Sequence, residues 1–178
     1  MDSRDAAKLI AHGVHSGERW ADLGAGTGTF TIALARLTGS LGVIYAVDRD
    51  ASAVRTLEAL ATHPEDGAAP IVVRRGDLTE PLDVPPLDGV LLANALHFVD
   101  ARVQADVLRH IAVRLASAGR IVVVEYENRS PSRWVPFPIS LSRLTDLARE
   151  AKLGVPEAIG WRRSTFGGSM YAARVATQ

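Results

Sequence analysis

The sequence predicts an α/β fold: a largely parallel sheet with helices on both faces. Strand-like and helix-like runs alternate along most of its 178 residues. One strand-like run, GVLLANAL, is apolar throughout, as expected of a strand covered on both faces, and RIVVVEY follows it as a fifth strand. Carboxylates stand at the ends of three successive strand-like runs, Asp22, Asp48 and Asp77. In such folds a ligand sits beyond the carboxyl ends of the strands.

The elements follow in order. AAKLIAHGV reads as a short helix, and RWADL as a strand that runs into a glycine-rich turn. TFTIALARL is the next helix, ended by Gly39, and GVIYAVD the second strand. DASAVRTLEALATH places Val54, Leu57, Leu60 and Ala61 on one helical face, with Asp50 as its cap. PIVVRRGD is the third strand. The segment from Leu78 to Leu87 holds Pro81, Pro85 and Pro86 and reads as a loop. After the fourth strand, Asp100 is positioned to cap a helix bearing Val103, Val107, Leu108, Ile111 and Leu115, which Gly119 ends. The fifth strand leads into NRSPSRWVPFP, a loop rich in proline and aromatics. ISLSRLTDLAREA is the last helix, with Leu141, Leu144, Leu147 and Ala148 inward. EAIGWRR and MYAARVA flank STFGGS as a terminal hairpin. Trp20 and Trp161 lie in strand runs and are read as core.

The length suits one domain with one sizeable core. The 20 basic and 20 acidic residues cancel, so no net field favours nucleic acid or an anionic membrane as partner. The absence of cysteine excludes disulfides, thiolate nucleophiles and zinc–thiolate sites. His12, His15, His63 and His110 lack metal-like spacing and are expected in solvent; Arg74, Arg75, Arg162 and Arg163 are expected at wet edges. No apolar run approaches the ~20 residues that span a bilayer, and the first residues lack a secretory apolar region. A cytoplasmic protein with no metal, no nucleic-acid partner and no membrane insertion is expected.

The stretch WADLGAGTGTF carries Gly24, Gly26 and Gly28 in alternation, two residues beyond Asp22. Glycine permits positive φ and close approach of a ligand to the backbone, so this turn is a nucleotide-site candidate. Thr29 stands where a dinucleotide fingerprint would have its third glycine, and no Walker lysine follows. A carboxylate beside the turn would repel a pyrophosphate and attract an ammonium group.

On these residues the chain resembles the class I S-adenosylmethionine-dependent methyltransferases, in their compact, small-molecule branch. ADLGAGTG matches the acid-x-Gly-x-Gly-x-Gly motif without a gap. The resemblance implies a Rossmann-like sheet of seven strands, order 3-2-1-4-5-7-6, with a C-terminal antiparallel hairpin. It implies S-adenosylmethionine as cofactor and S-adenosylhomocysteine as product. Asp22, Gly24, Ala25 and Gly26 would contact the cofactor, with Gly28 shaping the turn. Asp48 would accept from both ribose hydroxyls, and Arg49 would lie near the adenine edge or point to water. Asp77 would accept from the adenine amino group, Leu78 would cover the ring, and Asn94 and Ala95 would flank the sulfonium.

Methyl transfer asks mainly for alignment and exclusion of water. NALH matches the family's pattern after the fourth strand and lacks the Asn-Pro-Pro-aromatic motif of enzymes acting on adenine or glutamine. His97 is the candidate base, since imidazole titrates near neutrality; its other reading is a hydrogen bond that closes the pocket floor. Glu125 and Tyr126 end the fifth strand on opposite faces and are candidate substrate contacts, with Arg133 and Trp134 of the 128–139 loop. Residues 1–17 form a short N-terminal lid in this reading. So short a cover leaves an open site, which a second copy of the chain could complete as a homodimer. The acceptor is expected to be a small molecule. Competing readings are a non-catalytic S-adenosylmethionine-binding module, a nicotinamide-dependent oxidoreductase, and aminopropyl transfer.

Overall fold

The structure, a computed structural model, describes residues 1–81, 83–164 and 167–177. Its elements run α1 (Ser3–Ile10), β1 (Arg19–Leu23), α2 (Thr29–Thr38), β2 (Val43–Asp48), α3 (Ala51–Ala61), β3 (Ile71–Arg75), β4 (Leu87–Ala93), α4 (Gln104–Ala112), β5 (Leu115–Glu127), α5 (Leu141–Glu150), β6 (Glu157–Arg163) and β7 (Ser169–Ala176). The seven strands form one sheet in the order β3-β2-β1-β4-β5-β7-β6, as the resemblance implied. β1 to β5 are parallel, and β7 runs antiparallel between β5 and β6. Thr165 and Phe166 of the expected hairpin turn, and Leu82 of the proline-rich loop, lie outside the described residues.

Side-chain alternation divides the core between the two faces of the sheet. Ala21, Leu23, Val90, Leu92, Ile121 and Val123 pack beneath α4 and α5 with Leu108, Ile111, Leu144 and Leu147. Trp20, Leu91, Val122 and Val124 pack on the other face with Ile10 of α1 and Leu34 of α2. Buried apolar runs on β4 and β5 are therefore consumed on both sides. At the amino ends of the strands, Arg120 lies over the Trp20 ring at 5.1 Å and donates to the Gly13 carbonyl at 2.7 Å and to Glu18 at 2.6 Å. That end is closed by a saturated polar network, which leaves the carboxyl ends for ligands.

Several expectations need correction. Helix α4 starts at Gln104, not at a cap on Asp100: the Asp100 carboxylate is taken by the Arg102 N–H and guanidinium, and Val103 is exposed. The helix ends at Ala112, and Leu115 already belongs to β5. Gly119 therefore lies inside the strand, at a register shift opposite β4. A Cβ there would stand 3.0 Å from the Leu87 carbonyl oxygen and 2.8 Å from the Leu115 Cβ, so glycine serves close strand passage and not helix termination. Trp161 is 54% exposed, because β6 is an edge strand; its ring leans on Tyr171 at 5.9 Å. Arg162 is not a wet edge: it pairs with Asp5 at 2.6 Å. His110 is half-buried.

Candidate functional site

A cavity of about 690 Å³ opens along the carboxyl ends of the strands. Asp77 and Leu78 follow β3, Asp48 and Arg49 end β2, Gly24, Ala25 and Gly26 follow β1, and Asn94 and Ala95 follow β4; all line it. Tyr126 of β5, Met170 of β7 and Arg162 and Arg163 of β6 continue the wall. The cavity thus crosses the sheet in strand order.

The glycine turn has the conformation its spacing demands. Gly24, Gly26 and Gly28 have φ of 75°, 55° and 85°, in the left-handed region. A Cβ on Gly24 would lie 2.7 Å from the Ala95 Cβ, and one on Gly28 would lie 2.4 Å from a Leu60 methyl. A Cβ on Gly26 would meet nothing within 4 Å. Gly26 therefore faces open space that a ligand can fill against bare backbone. The Asp48 carboxylate braces this turn: Oδ2 accepts the Gly26 N–H at 2.8 Å and Oδ1 the Asp50 N–H at 2.9 Å. Asp50 caps α3 as expected, accepting from Ser52 and Ala53.

Asp77 faces the cavity with Oδ1 held by the Thr79 N–H and hydroxyl and Oδ2 by Arg49 at 3.2 Å. Partial burial works to raise its pKa, but these donors hold it below the ordinary carboxylate value. Arg49 is thus tied to Asp77 beside the cavity. Asn94 has φ of 53°, a left-handed conformation that few non-glycine residues adopt. Its N–H donates to the Val124 carbonyl at 2.8 Å, and its Oδ1 is buried without a hydrogen-bond partner among the described residues.

Several expected contacts stand elsewhere. Asp22 is buried behind the glycine turn, outside the residues that line the cavity, and its Oδ2 accepts the Thr31 hydroxyl at 2.7 Å. Burial pushes its pKa up to about 7, opposed by the Thr31 hydroxyl and aided by the nearby Asp48 charge. A carboxyl pKa higher in the folded than in the unfolded chain contributes stability that is complete below the ordinary value of 3.8 and is lost as pH rises through about 7. The unfolding free energy of the native protein should therefore fall between those pH values relative to Asp22→Asn. Denaturant titrations across that range check this, and equal slopes would contradict it.

His97, the expected base, is 2% exposed and lies outside the cavity-lining residues. Its Nδ1 meets Glu125 Oε2 at 2.6 Å, and its backbone N–H donates to Glu125 Oε1 at 3.2 Å. Glu125 is fully buried, meets His97 and lies outside the cavity-lining residues. Burial raises the Glu125 pKa, against the lowering contacts from His97. The reason is the pleat: Glu125 points into the layer beneath α4 and α5, and Tyr126 points to the opposite face. Of the 128–139 loop, no described residue lines the cavity. Trp134 is 70% exposed with Arg133 stacked on it at 4.7 Å, and the loop is moored by the Phe137 N–H to the His97 carbonyl. Of residues 1–17 only Met1 reaches the wall; α1 is packed through Ala6, Leu9 and Ile10. Sequence reasoning missed Phe30, Phe98, Val103 and Met170 as lining residues, since nothing in a single chain marks an apolar side chain as facing a cavity.

Residues 21–121 match the family described as a methyltransferase domain. The chain belongs to this family. Family membership carries S-adenosylmethionine as the methyl donor, the cofactor the motif implied. Among solved structures, this chain resembles a candidate O-methyltransferase from Nostoc punctiforme PCC 73102, with 21% identity over 98% of this chain and 56% of that one, TM-score 0.75. It also resembles magnesium protoporphyrin IX methyltransferase from Synechocystis PCC 6803, solved with bound S-adenosylhomocysteine, with 16% identity over 98% and 81%, TM-score 0.75. A methyltransferase from Aquifex aeolicus matches at 14% identity over 100% of both chains, TM-score 0.71. These likenesses establish the shared fold. The chain spans a little over half the length of the first solved relatives it matches. No curated protein sequence matches it. Among the described residues there is no cluster of three metal-binding side chains, and no helix is long and apolar enough to cross a membrane.

Proposed function

We propose that this protein is a methyltransferase that carries a methyl group from S-adenosylmethionine to a small-molecule acceptor, with the nucleoside held at the β3–β2–β1–β4 end of the cavity. The observation that carries the reading is Gly26: bare backbone facing open space, with its N–H fixed by the Asp48 carboxylate. A carboxylate has about four acceptor sites. Asp48 spends one on each oxygen within the protein, so one on each remains for the two ribose hydroxyls. Leu78 offers an apolar face for the adenine and Asp77 an acceptor at its edge. The partnerless Asn94 oxygen provides partial negative charge for the sulfonium end. Bound there, S-adenosylmethionine supplies an electrophilic methyl carbon, which the acceptor takes in line as the carbon–sulfur bond breaks.

No side chain need supply large acceleration. Alignment alone is worth roughly 7–11 kcal/mol in favourable models. His97 acts in this account by holding the turn that carries Ala95, not by taking the acceptor's proton, which passes to water. Gly26→Ala tests the reading. Its methyl group meets no protein atom, so folding is retained at a strain cost of about 1–2 kcal/mol for the left-handed alanine. Calorimetry should show cofactor affinity falling by about tenfold. A wild-type protein that binds neither S-adenosylmethionine nor S-adenosylhomocysteine would refute the proposal.

A further inference from the structure

The strand order separates the cavity into two chemically unlike halves. The half proposed for the nucleoside ends in the carboxylates Asp48 and Asp77. The other half, over β5, β7 and β6, is walled by Phe98, Val103, Tyr126 and Met170 and ends at Arg163. Phe98 and Val103 are exposed large apolar side chains on the turn after β4, so this wall presents apolar surface that the protein itself leaves uncovered. Such a wall suits a flat apolar body.

The charges of this half are mostly cancelled internally. Asp100 has both oxygens on the Arg102 guanidinium, and Arg162 is paired with Asp5. Arg163 has no ion-pair partner among the described residues, and it stands where β6 ends at the cavity rim. The residual charge of the acceptor half is therefore positive, opposite to that of the nucleoside half. Guanidinium presents a planar fork that matches a carboxylate with two parallel hydrogen bonds.

We infer that the methyl acceptor is an aromatic acid: a ring laid against Phe98, Val103 and Tyr126, with its carboxylate toward Arg163. This rests on the methyltransferase reading above and adds the acceptor's class to it. The anion would also orient the molecule. With the carboxylate fixed at the β6 rim, the far edge of the ring points toward β4, where Asn94 and Ala95 line the wall.

The test uses two probes that differ only in charge, 3,4-dihydroxybenzoate and 3,4-dihydroxybenzamide, titrated by calorimetry into the full chain saturated with S-adenosylhomocysteine. The benzoate should bind at least about tenfold more tightly than the amide, and the preference should shrink as salt is raised, because a rim contact is screened. Arg163→Ala should abolish the preference while leaving S-adenosylhomocysteine affinity unchanged, and Arg163→Lys should restore part of it. Equal affinities for the two probes, no binding of either, or a preference that survives in Arg163→Ala would overturn the inference and leave the methyltransferase reading intact. Failure of S-adenosylhomocysteine itself to bind would instead strike at that reading.

Discussion

Asp48→Ala is expected to weaken S-adenosylmethionine binding by roughly a hundredfold. Two hydrogen bonds from ribose hydroxyls to a charged acceptor are lost, at about 1.5 kcal/mol each, and each 1.4 kcal/mol is a factor of ten. The variant also releases the Gly26 and Asp50 N–H groups from their acceptor, so the glycine turn loses its brace. Asp48→Asn separates the two contributions. Its amide oxygen can still accept from Gly26, whereas the charge and one acceptor site are gone. An intermediate loss, about tenfold, is the expected result for Asn. Calorimetry with S-adenosylhomocysteine measures both, and wild-type affinity in Asp48→Ala would remove this side chain from the nucleoside site.

The second large effect concerns the buried pair beneath the site. Glu125→Ala leaves the His97 imidazole buried without its partner, and His97→Ala leaves a fully buried carboxyl group with the residue 97 backbone N–H but without the imidazole. Breaking such a pair from one side costs about 3–5 kcal/mol. Each single variant should lose that much in denaturant unfolding. Replacing both with leucine should cost less than either single change, because no polar side chain is then stranded and only the residue 97 N–H loses its acceptor. In Glu125→Ala the backbone N–H of residue 97 also loses its acceptor, so the 96–98 turn loosens as well. Turnover should fall in the single variants more than cofactor affinity does. Single variants as stable as the wild type would contradict the pairing.

How far the sequence disclosed this depends on the kind of residue. The glycine turn was legible because a strand that breaks into a helix across bare backbone requires glycine, and the requirement is local. Asp48 and Asp77 were legible as carboxylates at or just beyond the ends of β2 and β3. The sheet order came from the family resemblance, and the apolar β4 run already demanded two covered faces. Asp22 was legible as a position, but not the direction of its side chain: the Thr31 hydroxyl, one helical turn into α2, draws it away from the cavity. His97 and Glu125 were each marked as polar residues at strand ends, yet their pairing across 28 residues is a tertiary fact. Arg162 was misread because only the docking of α1 brings Asp5 to it. The start of α4 was misread because Arg102 satisfies Asp100 locally and removes it as a cap. Local stereochemistry was readable; side-chain partners distant in sequence were not.

The most direct test is a crystal structure of the protein with S-adenosylhomocysteine. Both ribose hydroxyls are expected on the Asp48 carboxylate, the adenine between Leu78 and Asp77, and the sulfur beside Asn94 and Ala95. A nucleoside bound elsewhere, or a dinucleotide whose diphosphate rests on the Gly24–Gly26 backbone in its place, would contradict it.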